Sequence, residues 1–118
     1  MRYTAKCAKD ILIFAQENTE NQYSKLQLED YESNLTSYSK NELVEHLRYL
    51  GEQGLFHRVA IDDFGVVGVT TGLTSKGQEV VEAMRNDTIW HNVLDNSKGA
   101  LPLALKLILA AFDKFQQD

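Results

Sequence analysis

One stretch, Leu43 to Thr74, constrains the fold of this 118-residue chain more than any other. Leu43, Val44, Leu47 and Leu50 recur at helical spacing and define one apolar face. Ser39 precedes them as a candidate N-cap, and Glu42 stands three residues later, the spacing of a capping box. Gly51 or Gly54 can end this helix, because glycine accepts the left-handed conformation found there. Leu55–Ile61 and Val66–Thr70 then read as two strands, joined by Asp62-Asp63-Phe64-Gly65, where Gly65 can supply φ > 0. Thr74 caps a further helix carrying Val80, Val81 and Met84. Helix, glycine, strand, acidic turn, strand, helix is the layout of a winged helix. The fold class expected is therefore α+β, mostly α: a winged helix with a two-stranded wing and extra C-terminal helices.

The flanking segments fit a single domain over 1–118, with a core of about 1–86 and a helical extension of about 87–118. Tyr3, Cys7, Ile11 and Phe14 place a first helix over about 3–17. Residues 23–38 resist assignment: Leu26, Leu28 and Leu35 suit either a short strand or an irregular helix. Tyr, Ser, Asn and Thr dominate there, a poor composition for the first short helix of a helix-turn-helix. Asn86-Asp87-Thr88 reads as a break and a new cap before a short helix with Ile89, Trp90, Val93 and Leu94. After the turn at Asn96–Gly99, a last helix runs from about Leu101 to Gln116, with Pro102 in its first turn, where the missing N–H breaks no intrahelical bond.

Charge argues against strong nonspecific nucleic-acid binding. Twelve Lys and Arg against seventeen Asp and Glu leave a net charge of −5, and no block of the chain is strongly basic. Cys7 is the single cysteine, which fits a reducing, cytoplasmic compartment. Met1-Arg-Tyr-Thr does not read as a secretory signal.

Nothing in the pattern points to catalysis or a metal. His46, His57 and His91 are far apart, with no H-x-x-x-H or C-x-x-C spacing. Cys7 lies in the apolar stripe of the first helix, where a cysteine acts as a small hydrophobe. Asp62 and Asp63 are adjacent on a turn rather than converging on a pocket. The chain is expected to be no enzyme and to need no cofactor.

Two surfaces remain as candidates. The helix at 40–53 presents Lys40, Asn41, Arg48 and Tyr49, joined by Arg58 of the following strand. These side chains suit phosphates, guanine and adenine, so double-stranded DNA is one expected partner. Glu45, Glu52 and the acidic wing share that surface and suit a protein partner instead. From Ala100 to Phe112 only Lys106 is polar, too short a run to span a membrane. Either this helix is the centre of the core, or Leu103, Leu107, Ala110 and Ala111 form a homodimer surface.

Two segments also resemble a known family. Glu42-Leu-Val-Glu-His-Leu-Arg-Tyr-Leu-Gly-Glu-Gln-Gly-Leu55 resembles its helix entering the wing. Leu73-Thr-Ser-Lys-Gly77, followed by Arg85-Asn-Asp-Thr-Ile-Trp90, resembles its most recognisable signature. The family is one of small winged-helix proteins of unknown function from phages and prophages of Gram-positive bacteria, and the likeness covers about residues 40–95. It implies a winged-helix fold, a phage setting and no catalytic residue to carry over. The expected function is a regulator of transcription binding DNA through helix 40–53. The alternative is a protein–protein interaction module whose acidic face binds a host or phage protein.

Overall fold

The computed structural model describes residues 2–116, with side chains through Phe112. It is an α+β structure, mostly helical, in the order α1 (Ala5–Glu17), β1 (Leu26–Gln27), α2 (Leu28–Asn34), α3 (Lys40–Glu52), β2 (Val59–Ile61), β3 (Val67–Thr70), α4 (Ser75–Arg85), α5 (Asp87–Ser97) and α6 (Leu101–Gln116). The strands form one antiparallel sheet in the order β1-β3-β2.

Local chemistry explains most boundaries. Thr4 caps α1 by accepting from the Cys7 N–H, and Thr74 caps α4 by accepting from Gly77 N–H. Ser39 and Glu42 close the expected capping box on α3. The chain then turns at Gly54, whose φ is 77°. Asn86 ends α4 and caps α5 through Ile89 N–H. The break at Asn86–Thr88 is thus a corner between two helices.

The segment unassigned from sequence holds β1 and α2. Asp30, inside the first turn of α2, accepts from Gln27 N–H at 2.8 Å and anchors the start of a seven-residue helix. Tyr31 on that helix is fully buried, tilted against Phe14 at 5.2 Å between ring centroids. Its hydroxyl shares a 2.6 Å hydrogen bond with Thr70 Oγ1 of β3, tying α2 to the sheet. Tyr31→Phe leaves the buried Thr70 hydroxyl without this partner, at a cost of about 1 kcal/mol, measurable as a lower urea midpoint.

The core lies between α1, α3 and α4, with Ile11, Leu12, Leu43, Leu47, Leu50, Val80 and Met84 all out of solvent. Two expectations change here. The strand expected over Leu55–Ile61 is shorter: Leu55 and Phe56 are buried, and Phe56 meets Leu73 in an isolated bridge before β2 begins. The α6 helix is not the centre of the core. It packs on α1, α4 and α5 through Leu101, Ala104, Leu105 and Ile108, and leaves Leu103, Lys106, Ala110 and Ala111 exposed. Its apolar sequence therefore exceeds what one chain covers. Among the described residues, no helix is long and apolar enough to cross a membrane.

Candidate functional site

The surface built by α3 and the β2–β3 hairpin gathers most of the residues singled out above. Burial of Leu43, Leu47 and Leu50 turns Asn41, Glu45, Arg48 and Glu52 outward at positions i, i+4, i+7 and i+11. Lys40 and Asn41 are exposed at the start of the helix, about 12 Å along the axis from Arg48. No charged group among the described side chains bonds Lys40.

Arg48 is differently placed. Its guanidinium pairs with Glu45 one turn back, which holds its pKa above the ordinary value. It also reaches across to the hairpin: Nη1 lies 3.4 Å from where a Cβ on Gly65 would stand. Arg48 and Arg58 line the same hollow, with Gly51, Glu52, Phe56, His57, Val59 and Ile61. The close approach of α3 to β2 requires Gly51, where a Cβ would meet Val59 Cγ2 at 2.7 Å. Tyr49 turns away from the outward stripe. It stacks on Tyr3 at 4.6 Å and 21°, and burial pushes its hydroxyl pKa up. Its ring is therefore committed to packing rather than offered to a base.

The other cations do not join this face as one patch. Lys6 pairs with Asp10 at 3.7 Å, Lys9 sits 4.4 Å from the centre of the Trp90 ring, and Arg85 pairs with Glu17 at 3.0 Å. Exposed carboxylates stand on the elements of this side instead. Glu29 and Asp30 stand exposed in the first turn of α2, Glu52 at the end of α3, and Asp62 and Asp63 on the hairpin tip.

Phe64 is the residue that sequence reasoning passed over. It is 90% exposed, the most exposed large hydrophobic side chain among the described residues. The turn beneath it is closed by hydrogen bonds: Asp62 Oδ1 accepts from both Phe64 N–H and Val66 N–H, Asp62 N–H donates to Val66 C=O, and Gly65 has φ 79°. The signal was present as an aromatic residue inside an acidic hairpin turn, where packing offers it nothing.

Leu103, Leu107, Ala110 and Ala111 share one stripe of α6, with Leu107 half-buried and the other three exposed, and Leu107 and Ala111 line a hollow with Ile89 of α5. No group of three or more His, Cys, Asp or Glu side chains converges among the described residues. Cys7 is buried, and burial pushes its thiol up to about 12, far from a reactive thiolate.

Residues 3–100 match the family described as Hypothetical protein (DUF2513). The chain belongs to this family. No curated protein and no solved structure matches it. The DUF2513 match includes the α3–hairpin face and stops at the start of α6. Like the family that the sequence resembles, it has no assigned function. The signature residues within the match serve the architecture. Leu73 is buried beside Phe56, Thr74 caps α4, Arg85 bonds Gln16 and Glu17, Asn86 caps α5, and Trp90 is 9% exposed under Lys9.

Proposed function

We propose that this DUF2513 protein is a non-enzymatic winged helix, with α2 and α3 as its helix-turn-helix and β2–β3 as its wing, and that it works as a protein-interaction module. The order α1-β1-α2-α3-β2-β3, with the sheet order β1-β3-β2, supports the winged-helix reading. The observation that carries the interaction reading is the chemistry of the face such a fold presents. Glu29, Asp30, Glu52, Asp62 and Asp63 are exposed and Glu45 half-buried on α2, α3 and the hairpin, and the Phe64 side chain is held out in water between Asp63 and Gly65 of the hairpin turn. Against DNA, each of these carboxylates faces like charge, and the central cation Arg48 already belongs to Glu45. Against a protein with an apolar pocket and a basic rim, the same residues supply an aromatic anchor and complementary charge. In the phage or prophage setting that the resemblance implies, that partner is a host or phage protein.

The DNA-regulator reading has its own support: α3 packs on α1, α2 and the sheet, and keeps Lys40 and Asn41 exposed. Fluorescence anisotropy with mixed duplex DNA at low salt separates the two. The expected result is no saturable binding, because electrostatic contacts are strongest there and the face is acidic. Binding that weakens steeply with added salt, and weakens further in Arg48→Glu, overturns the interaction reading in favour of DNA regulation.

A further inference from the structure

The acidic hairpin is not the only surface that lacks a partner. On the α5–α6 side of the molecule, Leu103, Leu107, Ala110 and Ala111 recur at i, i+4, i+7 and i+8, a stripe about 100° wide. Leu103 is 43% exposed, and Ile89 on the neighbouring α5 is 39% exposed. Between the two helices lies a surface hollow of about 270 Å³, lined by Ile89, Val93, Leu107, Ile108 and Ala111, with Asn92 and Asn96 at its polar rim.

We infer that this face is a homodimer interface, occupied by the α5–α6 face of a second copy of the chain. Three features select that occupant. The first is shape. A two-fold interface puts the same patch on both sides, so it must carry both knob and hole. Leu103 projects one turn along α6 from Leu107, which lines the hollow, so each copy presents a protruding leucine and an apolar recess on one face.

The second is charge. The chain carries −5 overall, and its hairpin face is acidic. Among the described residues, the stripe and the hollow contain no carboxylate, and Lys106 is the one charged side chain of α6 from Leu101 to Phe112. Pairing through this hollow brings together two linings without a charged side chain and keeps the acidic tips out of the contact. A basic partner suited to the hairpin finds no complementary charge here.

The third is extent. A helix of sixteen residues is about 24 Å long, and two adjacent helices present a face about 20 Å wide, roughly 480 Å² in outline, the scale of a weak contact that forms only as concentration rises rather than of a standard interface of roughly 800 Å² per partner. Ala110 and Ala111 let the facing backbones approach closely.

Sedimentation velocity and light scattering from about 1 µM to about 100 µM test the assignment, because mass action makes a dimer concentration-dependent. The wild type is expected to reach twice the 13.4 kDa chain mass. Leu103→Glu and Ala110→Glu, both at exposed positions, are expected to stay at the single-chain mass while keeping the wild-type far-UV circular dichroism. Phe64→Asp on the hairpin tip is expected to dimerise as the wild type does. A wild type that is monomeric at every concentration overturns the inference. So does a dimer that survives both α6 substitutions, or one that Phe64→Asp abolishes. None of these results depends on whether the hairpin face binds protein or DNA.

Discussion

Gly77→Ala is expected to destabilise the fold by about 3 kcal/mol, lowering the thermal midpoint by roughly 10 °C. Helix propensity alone predicts the opposite sign, because alanine in a helix is favoured over glycine by about 1 kcal/mol. Packing reverses it. A Cβ at residue 77 would stand 2.1 Å from Leu55 O, 3.0 Å from Leu55 C and 3.1 Å from Leu73 Cβ. The first two are backbone atoms and cannot rotate aside. Leu55 C=O also accepts from Thr74 N–H at 3.0 Å, and Thr74 Oγ1 donates to Gly54 C=O at 2.7 Å while accepting from Gly77 N–H. Making room for one methyl group therefore breaks the cap of α4 and its seam with the α3–β2 connection. Gly68→Ala is the matched control: its Cβ meets nothing within 4 Å, and its φ lies outside the left-handed region. Equal urea midpoints for the two variants would sink the close-approach explanation.

The same glycine shows what could be read from residue order and what could not. The pattern Leu-Thr-x-x-Gly was visible, and so were the capping box at Ser39 and the turn at Gly65, because each depends on side chains within a few residues. The limits of α6 were legible for the same reason. What made Gly77 obligatory was not, since Leu55 lies twenty-two residues away. Helix α2 was hidden by a related difficulty. Its seven residues are too few for a periodic signal, and its stability comes from Tyr31 reaching Phe14 and Thr70. The surroundings of the surface residues follow the same physics. Arg48 and Tyr49 fall on the expected helix, but their partners are a local carboxylate and a ring from the N-terminal segment. Leu103, Leu107, Ala110 and Ala111 share one helix face by spacing alone, so their convergence needed no tertiary information.

His46 should make stability fall as pH drops below about 6.5, by as much as about 1.4 kcal/mol per pH unit. The side chain is 1% exposed and uses both ring nitrogens. Nδ1 lies 2.7 Å from Glu42 C=O, to which a protonated Nδ1 donates, and Nε2 accepts from Thr4 N–H at 3.0 Å. That assignment requires the neutral imidazole. A second proton would sit on Nε2 and face the Thr4 N–H, donor against donor. Burial pushes the folded-state pKa below the ordinary value, although the Glu42 carbonyl and the Glu42 and Glu45 carboxylates oppose it, and Tyr3 closes the other side with its ring edge-on at 5.4 Å. The sign follows directly. Above about 6.5 the imidazole is neutral folded or unfolded, and the contribution is complete. As pH falls from there toward the depressed folded pKa, the unfolded chain takes up a proton that the folded chain refuses, and stability is lost. The consequence reaches beyond one hydrogen bond. Thr4 caps α1, and its neighbours pair with the start of α6 through Ala5 N–H to Gly99 C=O and Leu101 N–H to Tyr3 C=O. His46→Leu keeps the volume but orphans Thr4 N–H, and should cost about 2 kcal/mol at neutral pH. Urea midpoints at pH 5, 6 and 7 compare the two proteins, with the exposed His57 and His91 unchanged in both. The wild-type midpoint should fall across this window more steeply than the variant's. Parallel curves would show that His46 does not set the pH dependence.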